Sequence, residues 1–243
     1  MNERQRERRR RFAAMRARQE RQAQSKADSH MHQADVVVGK TPRGPWGGDA
    51  SRNQHHKTVT GMFSQAGTIN VEHRNKHGEL IGIYEVPNGI TNEGLNNNLN
   101  VYFDSGTQIT AWYCGLINLT GYSALDPTDT YDDIDQAGNG WDTFQSYTDA
   151  NNTDSATTRP EWPPDAASGQ SITNTTTKAI FDITAGGTVK GIFICGGTNA
   201  QTKGDHTAAG NVLWSTALFS GGDVAVSNGD QLKVTYTVNA STS

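Results

Sequence analysis

The sequence predicts an all-β fold: a two-sheet β-sandwich of the jelly-roll or immunoglobulin-like kind, with one short helix, preceded by an extended N-terminal arm. Two observations favour this class. Short apolar segments of strand length recur from Thr68 onward and are separated by Gly-containing and Asn-Gly turns. Gly accounts for 26 of the 243 residues and hydrophobic residues for only 34%, a composition typical of many short strands joined by turns.

Local patterns predict the first strands and the helix. TINVEHR and ELIGIYEV alternate apolar and polar residues on either side of the turn signal NKHG, and therefore predict a β-hairpin. Behind Asn92, the apolar residues Leu95, Leu99 and Phe103 recur at intervals of four, which predicts a short capped helix.

The later strands are predicted by apolar runs. They are ITAWYCGLI, KAIFDIT, VKGIFIC, NVLWSTALF and QLKVTYTV, and residues 118–170 form a long polar excursion between the first and the second. Alternation along these runs assigns one face to the sandwich interior. The side chains expected there are Trp112, Cys114, Leu116, Ile192, Ile194, Trp214 and Leu218.

The two cysteines, Cys114 and Cys195, each stand inside an apolar run. We expect them to be small buried hydrophobic residues on strands, which is how free cysteine usually behaves. A disulfide between them requires neighbouring strands at a suitable distance, and the sequence leaves that pairing open.

Residues 1–67 differ from the rest in charge and pattern, so we divide the chain into an arm at 1–67 and a β domain at 68–243. Residues 1–26 hold nine Arg and one Lys against three Glu, a net charge of +7. Residues 85–243 hold five basic against seventeen acidic residues, a net charge of −12. Helix-forming residues dominate the basic segment, but it has too little apolar surface to stay helical unless it docks on a partner.

The arm carries the predicted partner-binding residues. Its arginines suit carboxylates and phosphates equally, but Phe12 and Met15 add an apolar spot that phosphate binding does not need. An acidic protein surface is therefore favoured over DNA, and Trp46 is the expected anchor of the segment that follows. The predicted contacts are Arg4, Arg8, Arg9, Arg10, Arg11, Phe12, Met15 and Trp46.

No pattern indicates catalysis, a metal site or a cofactor, and we expect a protein without enzymatic activity. The histidine pairs lie mostly in the arm and lack a third ligand. The acidic run Asp126–Asp135 departs from the spacing of a calcium-binding loop, because Gly138 is misplaced and no Glu closes the loop. No G-x-S-x-G nucleophile turn is present. No apolar stretch reaches the length of about 18 residues that predicts a membrane span, so no membrane contact is expected.

Trp141 and Trp162 stand beside acidic residues of the polar excursion and allow two interpretations. With Glu161 they are suited to a sugar-binding cleft, so these three residues are the possible glycan contacts. Aromatic residues in such loops also anchor the loop to the sandwich, and the sequence favours that second interpretation.

A series of motifs runs in order from Asn88 to Val238. They are NGITNEGLN, WYCGLI, GWDTFQSY, TRPEW, GTVKGIF and LFSGGDVAVSNGDQLKVTYT. In order and spacing they resemble a family of tailed-bacteriophage structural proteins, which are small proteins usually encoded among head and tail genes. The resemblance implies a virion component and transfers no catalytic residue.

The resemblance implies contacts with other virion proteins of the capsid, portal, neck or tail. Virion proteins of this size usually form symmetric homo-oligomers, and a trimer is favoured. The leading hypothesis is a capsid decoration or cement protein, or a head–neck accessory, anchored by residues 1–67. The alternative is a neck or tail fibre-type protein whose β domain binds a host surface glycan. Nucleic-acid binding is disfavoured, because the acidic body would repel phosphates beyond the arm.

Overall fold

The computed structural model describes residues 63–135 and 140–242. In these residues a single α-helix accompanies twelve strands, and Tyr131–Asp133 form one turn of 3-10 helix. The elements in chain order are β1 (Phe63–Arg74), β2 (Leu80–Pro87), β3 (Gly89–Ile90), α1 (Asn92–Phe103), β4 (Trp112–Asn118), β5 (Thr143–Phe144), β6 (Tyr147–Asp149), β7 (Ser171–Thr173), β8 (Ala179–Ile183), β9 (Gly187–Gly197), β10 (Asn211–Leu218), β11 (Val224–Val226) and β12 (Gln231–Thr242).

The strands form two antiparallel sheets. Sheet A has the order β2-β1-β12-β8-β6, and β7 also pairs with β12. Sheet B has the order β3-β10-β9-β4-β5, and β11 also pairs with β9. The main core cluster takes side chains from both sheets, so the predicted two-sheet sandwich is confirmed.

The predicted hairpin of β1 and β2 is present, and Asn75 organises its turn. The Gly78 backbone N–H donates to the Asn75 carbonyl at 2.8 Å, and the His77 N–H donates to Asn75 Oδ1 at 2.9 Å. β1 begins at Phe63, earlier than the boundary expected after residue 67, and Gly67 pairs with Val238 of β12. The expected boundary therefore falls too late, inside the first strand of sheet A.

Most of the side chains predicted for the interior lie there. Cys114, Leu116, Ile192, Ile194 and Trp214 are buried in the main core, and Trp112 is partly buried against it.

Leu218 is the exception, and its prediction is wrong. It is half-buried against a second cluster, whereas its neighbour Ala217 lies in the main core. The pairing of β10 with β9 shifts between Leu213 and Ser215. This irregularity changes the alternation of side chains by one residue, so the strict period of two fails beyond it.

The second cluster covers the other face of sheet B. Residues 118–170, expected to be a polar excursion, supply β5 to sheet B, β6 to sheet A and much of this cluster. Phe193 lies at its centre, and Gly115 on the neighbouring strand leaves room for the ring, since a Cβ there would lie 2.0 Å from Phe193 Cζ. The buried members are Tyr113, Ile117, Tyr122, Tyr131, Ile134, Trp141, Phe193, Cys195, Ala200 and Leu213.

Arg159 is 1% exposed, and its side chain connects several parts of this second cluster. Its Nη1 donates to Tyr131 Oη at 3.0 Å and to the Ala200 carbonyl at 2.8 Å. Its guanidinium carbon lies 5.3 Å from the centre of the Phe193 ring. The charge is thus stabilised by carbonyl dipoles and aromatic faces.

The prediction for the cysteines is confirmed. Cys114 and Cys195 are both buried free thiols. Cys114 belongs to the main core and Cys195 to the second cluster, so they lie on opposite faces of sheet B and do not pair. Burial raises the pKa of both thiols, that of Cys195 to about 11, which leaves them protonated at neutral pH.

Candidate functional site

Helix α1 is fixed to sheet B by a polar N-terminus. The predicted cap is displaced by one residue: Thr91 is the N-cap, and its Oγ1 accepts from the Gly94 N–H at 3.0 Å. The Glu93 carboxylate accepts from the backbone N–H groups of Leu213 at 2.7 Å and Tyr131 at 2.9 Å. Partial burial raises the pKa of this carboxyl group.

The helix packs on β10 through its smallest residue. Gly94 is the buried residue of α1, and it lies against the backbone and ring of Trp214. The partly buried residues of α1 are Glu93, Asn97, Asn98 and Val101, and the last three lie on the same side of the helix as Gly94. The contact with the sheet is therefore made by a glycine, amides, one valine and the Glu93 carboxylate.

The large apolar side chains of α1 point into solvent. The sequence predicts the spacing of Leu95, Leu99 and Phe103 correctly, but this stripe does not face the core. We call these three residues together with Tyr102 the α1 apolar face. The exposed fractions are 39% for Leu95, 55% for Leu99, 77% for Tyr102 and 83% for Phe103.

Few charges stand near this face. The only charged residue within α1 is Glu93, whose carboxylate is held by the two backbone donors. Asp104 follows directly after the helix and is exposed at its end. The helix also carries five asparagines, of which Asn92, Asn96 and Asn100 are exposed in a row of i, i+4 spacing.

An aromatic hollow of about 220 Å³ adjoins the α1 apolar face at Tyr102. Trp112 and Trp214 meet edge to face in its wall, with ring centres 5.9 Å apart. The indole N–H groups of Trp162 and Trp214 donate to the carbonyl and hydroxyl of Tyr236, so the rings offer apolar surface to the hollow. The lining residues are Gln65, Asn98, Tyr102, Trp112, Trp162, Ile172, Trp214 and Val238.

Two further clefts flank the same helix. One, of about 480 Å³, runs between α1 and the segment Thr107–Ala111, and the other, of about 450 Å³, runs between α1 and Thr128–Thr130. Asn97 and Val212 line both clefts. Helix α1 therefore stands as a ridge with accessible surface on either side.

The acidic run organises turns. Asp133 Oδ2 accepts from the Thr130 N–H at 2.8 Å, and Asp135 accepts from the N–H and hydroxyl of Thr143, both at 2.6 Å. Burial, reinforced by the charges of Asp126 and Asp133, raises the pKa of Asp129 to about 6. Within residues 63–135 and 140–242, no three His, Cys, Asp or Glu side chains come together in a way that could hold a metal ion.

The structure separates the residues predicted as possible glycan contacts. Trp141 is buried in the second cluster, edge to face with Tyr122 at 5.1 Å and Phe193 at 5.3 Å. Trp162 is buried in the main core and lines the aromatic hollow, while Glu161 is exposed. Trp141 and Trp162 therefore share no surface, and both anchor loops to the sandwich.

The predicted arm contacts lie outside the described residues. They are Arg4, Arg8, Arg9, Arg10, Arg11, Phe12, Met15 and Trp46.

Sequence reasoning missed that the α1 apolar face is exposed, and it missed the aromatic hollow. The signal for the first was Gly94, a glycine inside the helix, which marks a close approach to the sheet. The hollow joins Tyr102, Trp112 and Trp214 from three separate segments, and no local pattern indicates that they meet.

Comparison of the chain with family models, with curated proteins and with solved structures gives no match. In the described part of the chain, no helix has the length and apolar character needed to cross a membrane.

Proposed function

We propose that this chain is a non-enzymatic structural protein of a tailed-phage virion, a capsid decoration or cement protein or a head–neck accessory, anchored by its N-terminal arm. The observation that carries an assembly role is the α1 apolar face, with Tyr102 and Phe103 each more than three-quarters exposed. Contiguous exposed apolar surface of this kind marks sites where a protein, a membrane or a ligand binds. Most other large apolar side chains of the described residues lie in the two clusters. The exceptions, Leu80, Ile81, Ile83, Leu119 and Leu125, are 43–58% exposed, less than Tyr102 and Phe103.

The virion assignment rests on the sequence motifs between Asn88 and Val238, since a β-sandwich alone hosts many unrelated functions. Two of these motifs contain residues that position elements of the fold. NGITNEGLN contains the Thr91 cap, Glu93 and Gly94, which together set the position of α1. TRPEW contains Arg159 and Trp162, which link the excursion to the two clusters.

The arm supplies the anchor in this proposal. Its net charge of +7 over residues 1–26 contrasts with −12 over residues 85–243. An arginine-rich segment with apolar residues at Phe12 and Met15 suits a groove on an acidic protein surface, where it would make both ionic and apolar contacts. Binding at many equivalent positions on a particle would multiply a modest affinity for each arm.

A sedimentation assay tests this assignment. Purified full-length chain is added to particles that lack it, either empty or filled with DNA, and the pellet is assayed across salt concentrations. The proposal expects equal binding to empty and filled particles with a shallow salt dependence, and loss of binding when Arg8, Arg9, Arg10 and Arg11 are changed to Ser. Binding to filled particles and free DNA alone, with a slope near −0.9 per neutralised phosphate, contradicts it, as does a chain that stays in the supernatant.

The aromatic hollow favours a second candidate function, a neck or tail fibre-type protein that binds a host surface glycan. Aromatic faces pack against the apolar faces of sugar rings, and the Gln65 and Asn98 amides at the rim can bond sugar hydroxyls. Titration of the full chain with host surface polysaccharide, followed by tryptophan fluorescence, tests this function. It requires binding that Trp112→Ala abolishes and that the exposed-site control Leu119→Ala retains, without turnover of the polysaccharide.

A further inference from the structure

We propose that the α1 apolar face is the contact between copies of this chain, so that α1 helices of neighbouring copies pack together around the symmetry axis of a homo-oligomer. The inference deepens the proposed structural function by naming the surface and the occupant. It rests on the side chains of the α1 apolar face, on their neutral surroundings and on the amides beside them.

The size of the face suits the centre of such an interface. Aromatic side chains bury roughly 150–250 Å² each, so Tyr102 and Phe103, mostly exposed here, offer about 300 Å² together. Leu95 and Leu99 extend the surface along the helix. The total reaches the size of the largest apolar patches on monomers, about 300–600 Å², and amounts to roughly half of the 800 Å² that each partner contributes to a stable interface.

Electrostatics favour a second copy as the occupant. Residues 85–243 carry a net charge of −12, so two copies repel each other through most approaches. The α1 apolar face is a neutral place on this acidic domain, because the Glu93 carboxylate is turned to the backbone donors of Leu213 and Tyr131. Asp104, at the end of the helix, is the one charge that borders the face in sequence. A partner that binds through charged side chains would meet no complementary charge on this face. The same face of a second copy would meet no electrostatic repulsion.

The asparagines beside the face are self-complementary. Asn92, Asn96 and Asn100 are exposed along one flank, and each amide offers both donors and an acceptor. The same residue on two copies can therefore form a hydrogen bond across a symmetry axis, which a row of lysines or glutamates cannot do. Symmetric contacts require this property, since each copy presents the same groups to its neighbour.

The aromatic hollow continues the apolar surface beyond the helix. Tyr102 belongs to both, and Trp112, Ile172 and Val238 line the hollow without charge. A ring of the size of benzene fits an apolar cavity of about 150 Å³, so the hollow of about 220 Å³ has room for an aromatic side chain of the neighbouring copy. Phe103, the most exposed large residue of the described chain, is the side chain placed to enter it.

Sedimentation velocity of the full chain over a range of concentrations tests the proposal. The wild-type chain should form a discrete oligomer, and the double change Leu99→Ser with Phe103→Ser should raise its dissociation constant by at least about 100-fold, tenfold for each large apolar anchor. The matched control changes Leu119 and Leu125 to Ser, two leucines that are also exposed but lie outside α1. Because all four side chains are exposed in the single chain, the two variants should melt at the same temperature when both are diluted until they are monomeric. A wild-type chain that is monomeric throughout, or equal behaviour of the two variants, overturns the proposal.

Cross-linking gives a second readout that does not depend on loss of binding. The chain has two cysteines, both buried, so Phe103→Cys introduces a uniquely accessible thiol. A short bismaleimide should join two copies of this variant rapidly at dilute concentration, and should leave the Leu119→Cys control unlinked. Equal linking of both variants, or of neither, contradicts the assignment. These readouts use purified protein alone, so they stand apart from particle binding, on which the proposed function depends.

Discussion

Gly94 of α1 lies directly against Trp214 of β10. A Cβ at position 94 would come within 2.8 Å of the Trp214 carbonyl oxygen and 2.9 Å of ring carbon Cε3. The contact leaves Leu95, Leu99 and Phe103 on the solvent side of the helix. The outward orientation of α1 therefore follows from one close approach between a glycine and a strand backbone.

Gly94→Ala should destabilise the fold. In an exposed helix interior this change usually stabilises by roughly 0.5–1 kcal/mol, because alanine is the better helix former. Here the added methyl group meets backbone atoms of Trp214, and overpacking of this kind costs about 1–3 kcal/mol. Chemical denaturation measures the change, with Asn96→Ala on the exposed side of α1 as the control. A stability gain in both variants would show that the helix moves away from the sheet at no cost.

Leu116→Ala should remove a fully buried side chain from the main core and cost about 2–5 kcal/mol. Leu218→Ala should cost less, because Leu218 is half-buried on the other face of sheet B. Leu119→Ala, at an exposed position, serves as the reference. The denaturant midpoints of the three variants give the order of their losses in stability. A loss at Leu218 equal to that at Leu116 would contradict the placement of the shift between Leu213 and Ser215.

Asp129→Asn should stabilise the protein near neutral pH and have little effect in acid. The pKa of Asp129 is raised from 3.8 to about 6 in the folded state, so the folded chain binds more protons than the unfolded chain between these values. Its contribution to stability is present below pH 4 and is lost as pH rises through 6. Since the carboxyl group is only half-buried, we expect a gain of about 1 kcal/mol at pH 7 after solvent screening.

Unfolding free energies of wild type and Asp129→Asn between pH 4 and pH 8 measure this difference. Leu119→Ala, which alters no titrating group, should follow the wild-type pH dependence. If Asp129→Asn raises the free energy of unfolding equally at pH 4 and at pH 8, the cause is not the ionisation of Asp129.

Deletion of residues 1–62 should leave a folded domain that no longer binds the particle. The cut precedes Phe63, so β1 keeps its full pairing with β12, whereas a cut after residue 67 would remove the pairs from Phe63 to Gly67. Thermal melting and particle sedimentation of the shortened chain test the two halves of this prediction. Loss of cooperative melting on deletion to residue 62 would place the arm within the fold.

The sequence predicts the fold class and the main strands because their signals are local. Alternating apolar runs mark β8, β9, β10 and β12, and four-residue spacing marks α1. The short strands β5 and β6 are missed because two or three residues carry no measurable period. They form because each pairs with a strand distant in sequence: Phe144 of β5 pairs with Leu116 of β4, and Tyr147 of β6 pairs with Ile183 of β8.

The direction in which α1 faces could not be predicted either. A four-residue apolar stripe normally packs on the core, and here the Gly94 contact with Trp214 overrides that preference. The side of sheet B on which Leu218 lies was predicted wrongly for a similar reason. The shift in β10 belongs to its pairing with β9, and no local sequence pattern indicates it. Both errors concern tertiary contacts of otherwise correct elements.

The position and copy number of the chain in intact particles test the proposed function most directly. If the chain is a virion protein, quantitative mass spectrometry of purified particles, with a reconstruction of the particle, gives both. We predict the chain at a fixed ratio to the other structural proteins, as a symmetric oligomer with α1 helices facing one another. Copies at every capsid site would identify a decoration protein, and a few copies at the symmetry of the neck or tail would identify an accessory there. Particles that lack the chain, although it is produced during infection, would contradict the proposal.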